Sequence, residues 1–127
     1  MNRRNALKTL AVAGGAQALP AQSKRPIQLH VDLDVDPARE NEMLANFRKV
    51  FRPVISKQPG FVSVRMLRFR EAMQGAAPAN KYRLVISFQT EEQRKTWVAT
   101  DDHQRVWPSI ENTLRHKNYL VILYDTM

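Results

Sequence analysis

The amino-acid sequence predicts an α+β domain whose elements follow the order β-α-β-β-α-β. Three observations support this order: alternating apolar and polar residues at the start of the domain, two stretches with apolar residues at helical spacing, and a pair of strand-like segments between them. A last apolar segment forms the fourth strand. With its second helix broken in two, the order is the ferredoxin-like split arrangement.

The first strand is expected over 27–35, where apolar residues face one side and polar residues the other. Asp36 then supplies a helix N-cap, and Pro37 occupies the first helical position. The helix that follows carries apolar residues at helical spacing up to Ile55. Since Pro53 has no backbone N–H, we expect this helix to kink near it.

A second and a third strand are expected over 61–70 and 81–89, after a turn at 58–60 and a loop over 71–80 that is rich in Ala, Gly and Pro. The second strand carries apolar residues on both faces, so we expect it to lie inside the sheet. In strict alternation, these residues are Phe61, Leu67 and Phe69 on one face and Val62, Val64 and Met66 on the other.

Two capping patterns divide the second helical segment. Thr90 opens a helix with a capping box, and acidic residues follow in its first turn. Thr100, followed by two aspartates, opens a second helix that is expected to contain Pro108 and to end near Leu114. The last strand is expected over 119–124.

The N-terminus has the layout of an export signal. Arg3 and Arg4 are followed by Leu7 and Lys8, and then by an uncharged, weakly apolar run over 9–19. This pattern resembles the twin-arginine signal, which directs the export of folded proteins. The alternative is an ordinary N-terminal segment.

Candidate cleavage sites follow Ala18 and Ala21, where small residues stand at the expected offsets. We therefore divide the chain into a signal peptide over 1–21, a linker over 22–26 and a domain over 27–127, and we expect a periplasmic or secreted protein. The apolar run is shorter than the roughly twenty residues that span a bilayer, so no stable membrane insertion is expected.

Composition limits the classes of function. The 127 residues include 20 basic and 12 acidic ones, and loss of the signal would remove three basic residues and lower the net charge from +8 to +5. The basic residues are spread among acids without a basic run, so nucleic-acid binding is not expected. Without cysteine, the chain has no disulfides, thiolate chemistry or cysteine-ligated metal.

The chain from about 27 to 125 resembles the antibiotic biosynthesis monooxygenase domain family, a group of dimeric α+β barrels. The segments that carry the resemblance are Asp36-Pro37-Ala38-Arg39, Gln58-Pro59-Gly60-Phe61, Ser87-Phe88-Gln89-Thr90-Glu91-Glu92, Trp97 and Thr100-Asp101-Asp102-His103-Gln104. The family includes monooxygenases that use no cofactor, haem-degrading enzymes and proteins without known activity. The resemblance therefore implies a fold more firmly than a reaction.

Two branches of the family imply particular site residues, and this chain has other residues at most of those positions. In the haem-degrading branch Trp97 matches a site tryptophan, but Trp107 stands in place of a histidine and Val31 in place of an asparagine. Haem degradation is therefore not expected. In the polyketide-oxidising branch, Leu84 and Phe88 stand where polar side chains hold the phenol.

A local group of side chains still suggests a ligand site. His103 and Trp107 lie four residues apart, on one face of a helix directed at the sheet. We expect His103 to act as a base near neutral pH on a flat aromatic ligand, without a cofactor or metal. The side chains expected to bind the ligand are Trp97, Trp107, Phe88, Val31 and Leu84. Ordinary core packing is the alternative for the aromatic residues and the histidine.

The sequence thus favours an exported, cofactor-independent monooxygenase that acts on an aromatic or quinol-like small molecule. The alternative is a non-catalytic ligand-binding or structural dimer of the same fold. His30, Asp32 and Asp34, on the polar face of the first strand, are expected to join a hydrogen-bond network at a subunit interface rather than a metal site.

A homodimer is expected because helices cover only one face of such a sheet. The other face is expected to carry an apolar patch with a few polar residues, which a second copy of the chain would bury. The residues assigned to this patch are Val62, Val64, Met66, Val85, His30 and Asp32.

Overall fold

The computed structural model describes residues 25–127. The signal peptide predicted over 1–21, and most of the linker predicted over 22–26, lie outside the described residues. None of the helices within 25–127 is long and apolar enough to cross a membrane.

The described residues contain four strands, β1 (Ile27–Leu33), β2 (Phe61–Arg68), β3 (Tyr82–Phe88) and β4 (Val121–Asp125). They form one antiparallel sheet in the order β2-β3-β1-β4. Their ends differ from the predicted ones by at most two residues. The observed order confirms the α+β, ferredoxin-like class.

The first helical segment changes its winding along its length. Its parts are a 3-10 turn over Pro37–Arg39, α1 (Glu40–Asn46), a π-helical turn over Phe47–Phe51 and α2 (Arg52–Ile55). Asp36 caps it as predicted, because its carboxylate accepts a hydrogen bond from the Ala38 N–H at 2.9 Å. The wide turn ends at Phe51, two residues before Pro53, whose missing N–H cannot continue the α-helical ladder.

The second helical segment has three parts, α3 (Glu91–Ala99), α4 (Asp101–Val106) and α5 (Pro108–Glu111). Both predicted caps are present, because the hydroxyls of Thr90 and Thr100 each accept an N–H from three residues onward. Pro108 lies at the start of α5 rather than inside a longer helix. The helical segment ends at Glu111, three residues before the predicted end near Leu114.

The prediction that the second strand lies inside the sheet is wrong, because β2 is an edge strand. A β-bulge between Phe61 and Ser63 also shifts the alternation of its side chains. As a result Phe61, Val64 and Met66 all pack against the helical core. The expectation that Val64 and Met66 belong to the opposite face of the sheet is therefore wrong as well.

The core lies between the helices and one face of the sheet. Its largest fully buried side chains include Tyr82, Phe51 and Phe88. The opposite face carries His30, Asp32 and Val85, as expected, and exposes apolar side chains nearer its edges. Leu67 and Tyr124, which share that face by their register, are 46% and 47% exposed.

Candidate functional site

A cavity of about 240 Å3 lies between the second helical segment and the sheet. Its wall is mostly apolar and aromatic, with one permanently charged side chain, Arg94. The lining residues are Leu29, Val31, Phe51, Leu84, Ile86, Arg94, Trp97, Val98, His103, Trp107, Tyr119 and Val121. An apolar wall with a few polar groups is typical of small-molecule sites.

A larger depression of about 720 Å3 lies near the C-terminal end of β3. Arg25, at the start of the described residues, forms part of its wall together with Glu91 and Asp125. No aromatic or histidine side chain lines it. We therefore take the smaller, aromatic cavity as the candidate site.

Thr100 holds two of the predicted site residues together. Its hydroxyl donates a hydrogen bond to the Trp97 carbonyl at 2.7 Å and accepts one from the His103 N–H at 3.1 Å. It thus ends α3 and begins α4 within one residue. The Trp97 and His103 rings meet edge to face across this break, with centroids 5.0 Å apart.

The His103 ring lies between two indoles. On its other side it stacks on Trp107, with centroids 6.3 Å apart and planes 20° from parallel. Phe51 closes the group from the first helical segment, because its ring meets the Trp97 and Trp107 indoles at 6.1 Å and 6.0 Å. The imidazole therefore has little freedom to turn.

A chain of hydrogen bonds fixes the far side of Trp107. Its indole N–H donates to the Tyr119 hydroxyl at 3.1 Å, and that hydroxyl donates to the Glu111 carboxylate at 2.8 Å. Burial, followed by the bond to Glu111, raises the pKa of Tyr119. Tyr119 therefore keeps its proton at neutral pH and serves as the donor to Glu111.

Electrostatics favour a neutral imidazole at the site. Burial lowers the pKa of His103 below its ordinary value of 6.5, and the negative charge of Glu111 opposes that shift. Its Nδ1 is buried and has no hydrogen-bond partner within the described residues. At neutral pH the ring is therefore uncharged and able to accept a proton.

The structure brings five of the six predicted site residues into one cavity wall. Val31 and Leu84 lie on the sheet side, opposite Trp97, His103 and Trp107 on the helical side. Phe88 does not line the cavity. It is fully buried in the core, where its ring meets Phe61 at 6.1 Å.

Sequence reasoning missed several lining residues, among them Arg94, Phe51 and Tyr119. Arg94 lies three residues before Trp97, so helical spacing alone places both on one face of α3. Its guanidinium binds the Glu91 carboxylate through two contacts of 2.7 Å. Phe51 and Tyr119 carried no comparable signal, because only tertiary packing brings them to Trp107.

The polar residues of the first strand are not gathered at one point. Asp34 binds Arg115 at 2.7 Å and His116 at 3.2 Å, and the Arg115 hydrogen bond lowers the pKa of Asp34. His30 lies on the sheet face that points away from the helices and the cavity. There its Nε2 pairs with the Gln28 amide oxygen at 2.9 Å. Across residues 25–127, no group of three or more histidines and carboxylates is placed to hold a metal ion.

Several solved structures share the fold. A protein from Bordetella bronchiseptica, provisionally described as an antibiotic biosynthesis monooxygenase, superposes with a TM-score of 0.66 at 20% identity, over 80% of this chain and 97% of the other. A dimeric ferredoxin-like protein of unknown function from Jannaschia sp. CCS1 gives 0.64 at 14% identity, over 80% and 98%. SnoaB, a cofactor-independent oxygenase from Streptomyces nogalater, gives 0.56 at 16% identity, over 79% and 89%.

These likenesses show the fold alone, and no curated protein matches the chain. The family is shown by the sequence, since the model of the antibiotic biosynthesis monooxygenase family matches residues 26–108. That match covers more than half of the chain and includes both indoles and His103, together with Val31 and Leu84 of the sheet. The protein therefore belongs to the antibiotic biosynthesis monooxygenase family.

Proposed function

We propose that this protein is a cofactor-independent monooxygenase that oxidises a small, flat phenol or quinol. The observation that carries the proposal is the neutral imidazole of His103, held between two indoles in the wall of an apolar cavity. A neutral base in the wall of an apolar cavity is suited to remove a phenolic proton. SnoaB, which shares the fold, is itself described as a cofactor-independent oxygenase.

In the proposed reaction, His103 takes the proton and leaves an electron-rich carbanion or phenolate. The anion passes an electron to dioxygen, and the two radicals combine to form a carbon–oxygen bond and a hydroperoxide. Loss of water from the hydroperoxide leaves a carbonyl group. Overall, a ring methylene of the keto tautomer reacts with dioxygen to give a quinone carbonyl and water. The substrate supplies all the electrons. The proton held by His103 is returned to the oxygen atom that leaves as water.

The cavity favours a small substrate. Its volume of about 240 Å3 lies below the roughly 300–1,000 Å3 of sites that enclose drug-sized ligands. The parallel indole and imidazole planes favour a flat ring system. We therefore expect bicyclic phenols to be better substrates than tricyclic ones.

Arg94 supports an ionisable substrate. Its side chain is 19% exposed and belongs to the same wall as His103. The bidentate contact with Glu91 holds the guanidinium in place and partly offsets its charge. A fixed cation beside an apolar cavity favours the anion that forms when His103 takes the proton.

Oxygen uptake during aerobic incubation with dihydroxynaphthalenes and anthrones tests the proposal. We expect uptake with the unmodified protein and none above background with His103→Gln. The matched control is His116→Gln, which replaces a half-exposed histidine outside the cavity and should retain activity. Equal uptake by the unmodified protein and His103→Gln would contradict the proposal.

The alternative function, a non-catalytic binding module, has one specific observation in its favour. Val31 and Leu84 give the sheet wall no polar group to orient a phenol. A ligand that binds stoichiometrically, without oxygen uptake by the unmodified protein, would favour this alternative and contradict the proposed reaction.

We propose further that the protein works as a homodimer joined through the open sheet face. Leu67 and Tyr124 expose apolar surface there, at 46% and 47%. On the same face the His30 Nδ1 is buried without a hydrogen-bond partner in the described residues. A second copy would bury the apolar side chains and offer that nitrogen a partner. The related Jannaschia protein, described as dimeric, supports the proposal.

We also propose that the protein is exported by the twin-arginine route and works in the periplasm or outside the cell. The support is the sequence Arg3-Arg4 with Leu7 and Lys8, followed by the uncharged run over 9–19. In this arrangement the domain over 27–127 folds before it is translocated. Its small core, which needs no disulfide, is compatible with that order of events.

A further inference from the structure

We propose that Tyr119 and Glu111 are positioning residues of the candidate site. Together they hold the Trp107 indole stacked on His103, and they fix the Glu111 carboxylate where its negative charge acts on the base. The kinetic part of this inference depends on the proposed oxidation, whereas the geometric and electrostatic parts do not. Neither residue was assigned a role from the sequence.

The first step concerns Trp107. An indole has a single polar atom, its N–H, and here the Tyr119 hydroxyl accepts it at 3.1 Å. The two rings also meet edge to face, with centroids 5.8 Å apart. The hydrogen bond fixes the rotation of the indole about its side-chain bonds. The stacking on His103 depends on that rotation.

The second step concerns Tyr119. Its hydroxyl accepts from Trp107 and donates its own proton to the Glu111 carboxylate at 2.8 Å, so both of its roles are occupied. Glu111 in turn faces Lys117, whose Nζ lies 3.9 Å from the carboxylate on the outer side. The Glu111 side chain is 22% exposed, so it remains in contact with solvent.

The third step concerns charge. When His103 takes a proton, a half-buried imidazolium forms in an apolar wall, and burial alone disfavours it. Glu111 on α5 is the charged group that opposes this penalty. Arg94 on α3 lines the same cavity but carries the wrong sign, and the sheet contributes apolar side chains such as Leu84. Glu111 is thus placed to balance the proton that the base receives.

A purely structural role for the Tyr119–Glu111 pair predicts a different outcome. Core packing would require the Tyr119 ring but not the charge of Glu111. Glu111→Gln keeps a hydrogen-bond acceptor for Tyr119 and removes only the charge. Glu92→Gln is the matched control, because Glu92 is exposed on α3 and the substitution changes the net charge equally.

Proton NMR titration of His103 tests the inference without any substrate. The chain has three histidines, so the His103 signal can be assigned with His103→Gln. We expect Glu111→Gln to move the His103 midpoint to lower pH, because the charge that favours the imidazolium is lost. Glu92→Gln should leave it in place. An unchanged midpoint in folded Glu111→Gln would overturn the electrostatic role.

The indole N–H signal of Trp107 tests the geometric role in the same samples. We expect Tyr119→Phe to shift this signal and to speed its exchange with water, while the Trp97 signal stays. A Trp107 signal that is unchanged in folded Tyr119→Phe would overturn the positioning role. Circular dichroism establishes that each variant is folded.

Kinetics with an oxidised substrate extend the test. We expect Tyr119→Phe to lower kcat/KM roughly twofold to tenfold, the effect of one lost hydrogen bond. Glu111→Gln should shift the acid limb of the kcat/KM profile to lower pH, with the Glu92→Gln profile unchanged. If no substrate is oxidised but the NMR shifts occur, the proposed function fails and the positioning pair stands. If oxidation occurs and neither variant alters the rate or the profile, the positioning pair fails.

Discussion

The imidazole of His103 stacks on the indole of Trp107, with ring centroids 6.3 Å apart and planes 20° from parallel. This relationship gives a flat, apolar surface beside a nitrogen base. Because burial lowers the pKa of His103, the base is uncharged at neutral pH. The pair thus combines a binding surface for an aromatic ring with a proton acceptor.

Thr100→Val should change the arrangement of the Trp97 and His103 rings, in addition to lowering the stability of the fold. Loss of an N-cap costs about 1 kcal/mol of unfolding free energy. The same loss also releases Trp97 and His103, which the Thr100 hydroxyl joins. Both tryptophans of the chain line the cavity, so intrinsic fluorescence reports on it.

Thr90→Val is the matched control for Thr100→Val, because Thr90 caps α3 in the same way but lies outside the cavity. We expect a similar loss of stability and an unchanged emission maximum. If both variants alter fluorescence equally, Thr100 has no special role in the site.

Stability should fall as the pH is lowered below 6.5, the ordinary pKa of histidine. Burial lowers the pKa of both His103 and His30, so the unfolded chain binds more protons than the folded one in this window. By linkage, the free energy of unfolding then rises with pH, and the contribution is lost as pH falls through the folded pKa values. Denaturant unfolding across this range measures the slope.

His103→Gln should reduce the slope of the unfolding free energy against pH. Above about pH 8 histidine is neutral in the folded and the unfolded chain, so there the difference in stability between His103→Gln and the unmodified protein should not change with pH. Carboxylates with a lowered pKa, such as Asp34, lose their contribution only at still lower pH. An identical slope in His103→Gln would show that the histidine does not titrate differently on folding.

Leu67→Glu should convert the proposed dimer to a monomer. Leu67 is 46% exposed on the open sheet face, so the single chain tolerates a charge there, whereas a closed interface does not. Met73→Glu, at a position that is 87% exposed in the loop between β2 and β3, makes the same change away from the sheet. Light scattering of the unmodified protein at the mass of one chain would refute the dimer.

Joint replacement of Arg3 and Arg4 by Lys should stop export and leave the folded domain unchanged. On the proposed route a receptor reads the arginine pair as an address, so replacement by lysine should block export even though it keeps the positive charge. Arg25→Lys, beyond the predicted cleavage sites, is the control. A normal periplasmic yield of the double variant would rule out the twin-arginine route.

The fold followed from local patterns because each element carries its own signal. Alternation in β1, the Asp36 cap and the Thr90 and Thr100 caps are all properties of a few neighbouring residues, and all are present. The π-helical turn also lies where Pro53 predicts a disturbance.

The position of β2 in the sheet could not be predicted from the sequence, because an edge strand and a central strand can carry the same apolar residues. The bulge after Phe61 shifts the later residues by one, so Val64 and Met66 face the helices. Neither Phe61 nor Val62, the residues at the bulge, is a glycine or a proline, the residue types that would have indicated a bulge there.

The candidate site was predictable only where its residues are close in sequence. Trp97, His103 and Trp107 lie within eleven positions, and the four-residue spacing of His103 and Trp107 predicts that these two share a helical face. Tyr119 reaches the site from beyond the helix, and Glu111 acts through it. Such tertiary contacts leave no trace in a local pattern.

Mass spectrometry of a product formed under heavy-isotope dioxygen tests the central claim most directly. A monooxygenase in which His103 is the base should place one labelled oxygen atom in the quinone and release the other as water. His103→Gln should form no labelled product beyond the uncatalysed background, while His116→Gln should match the unmodified protein. A quinone that carries no label, or equal labelled product from His103→Gln, would contradict the account.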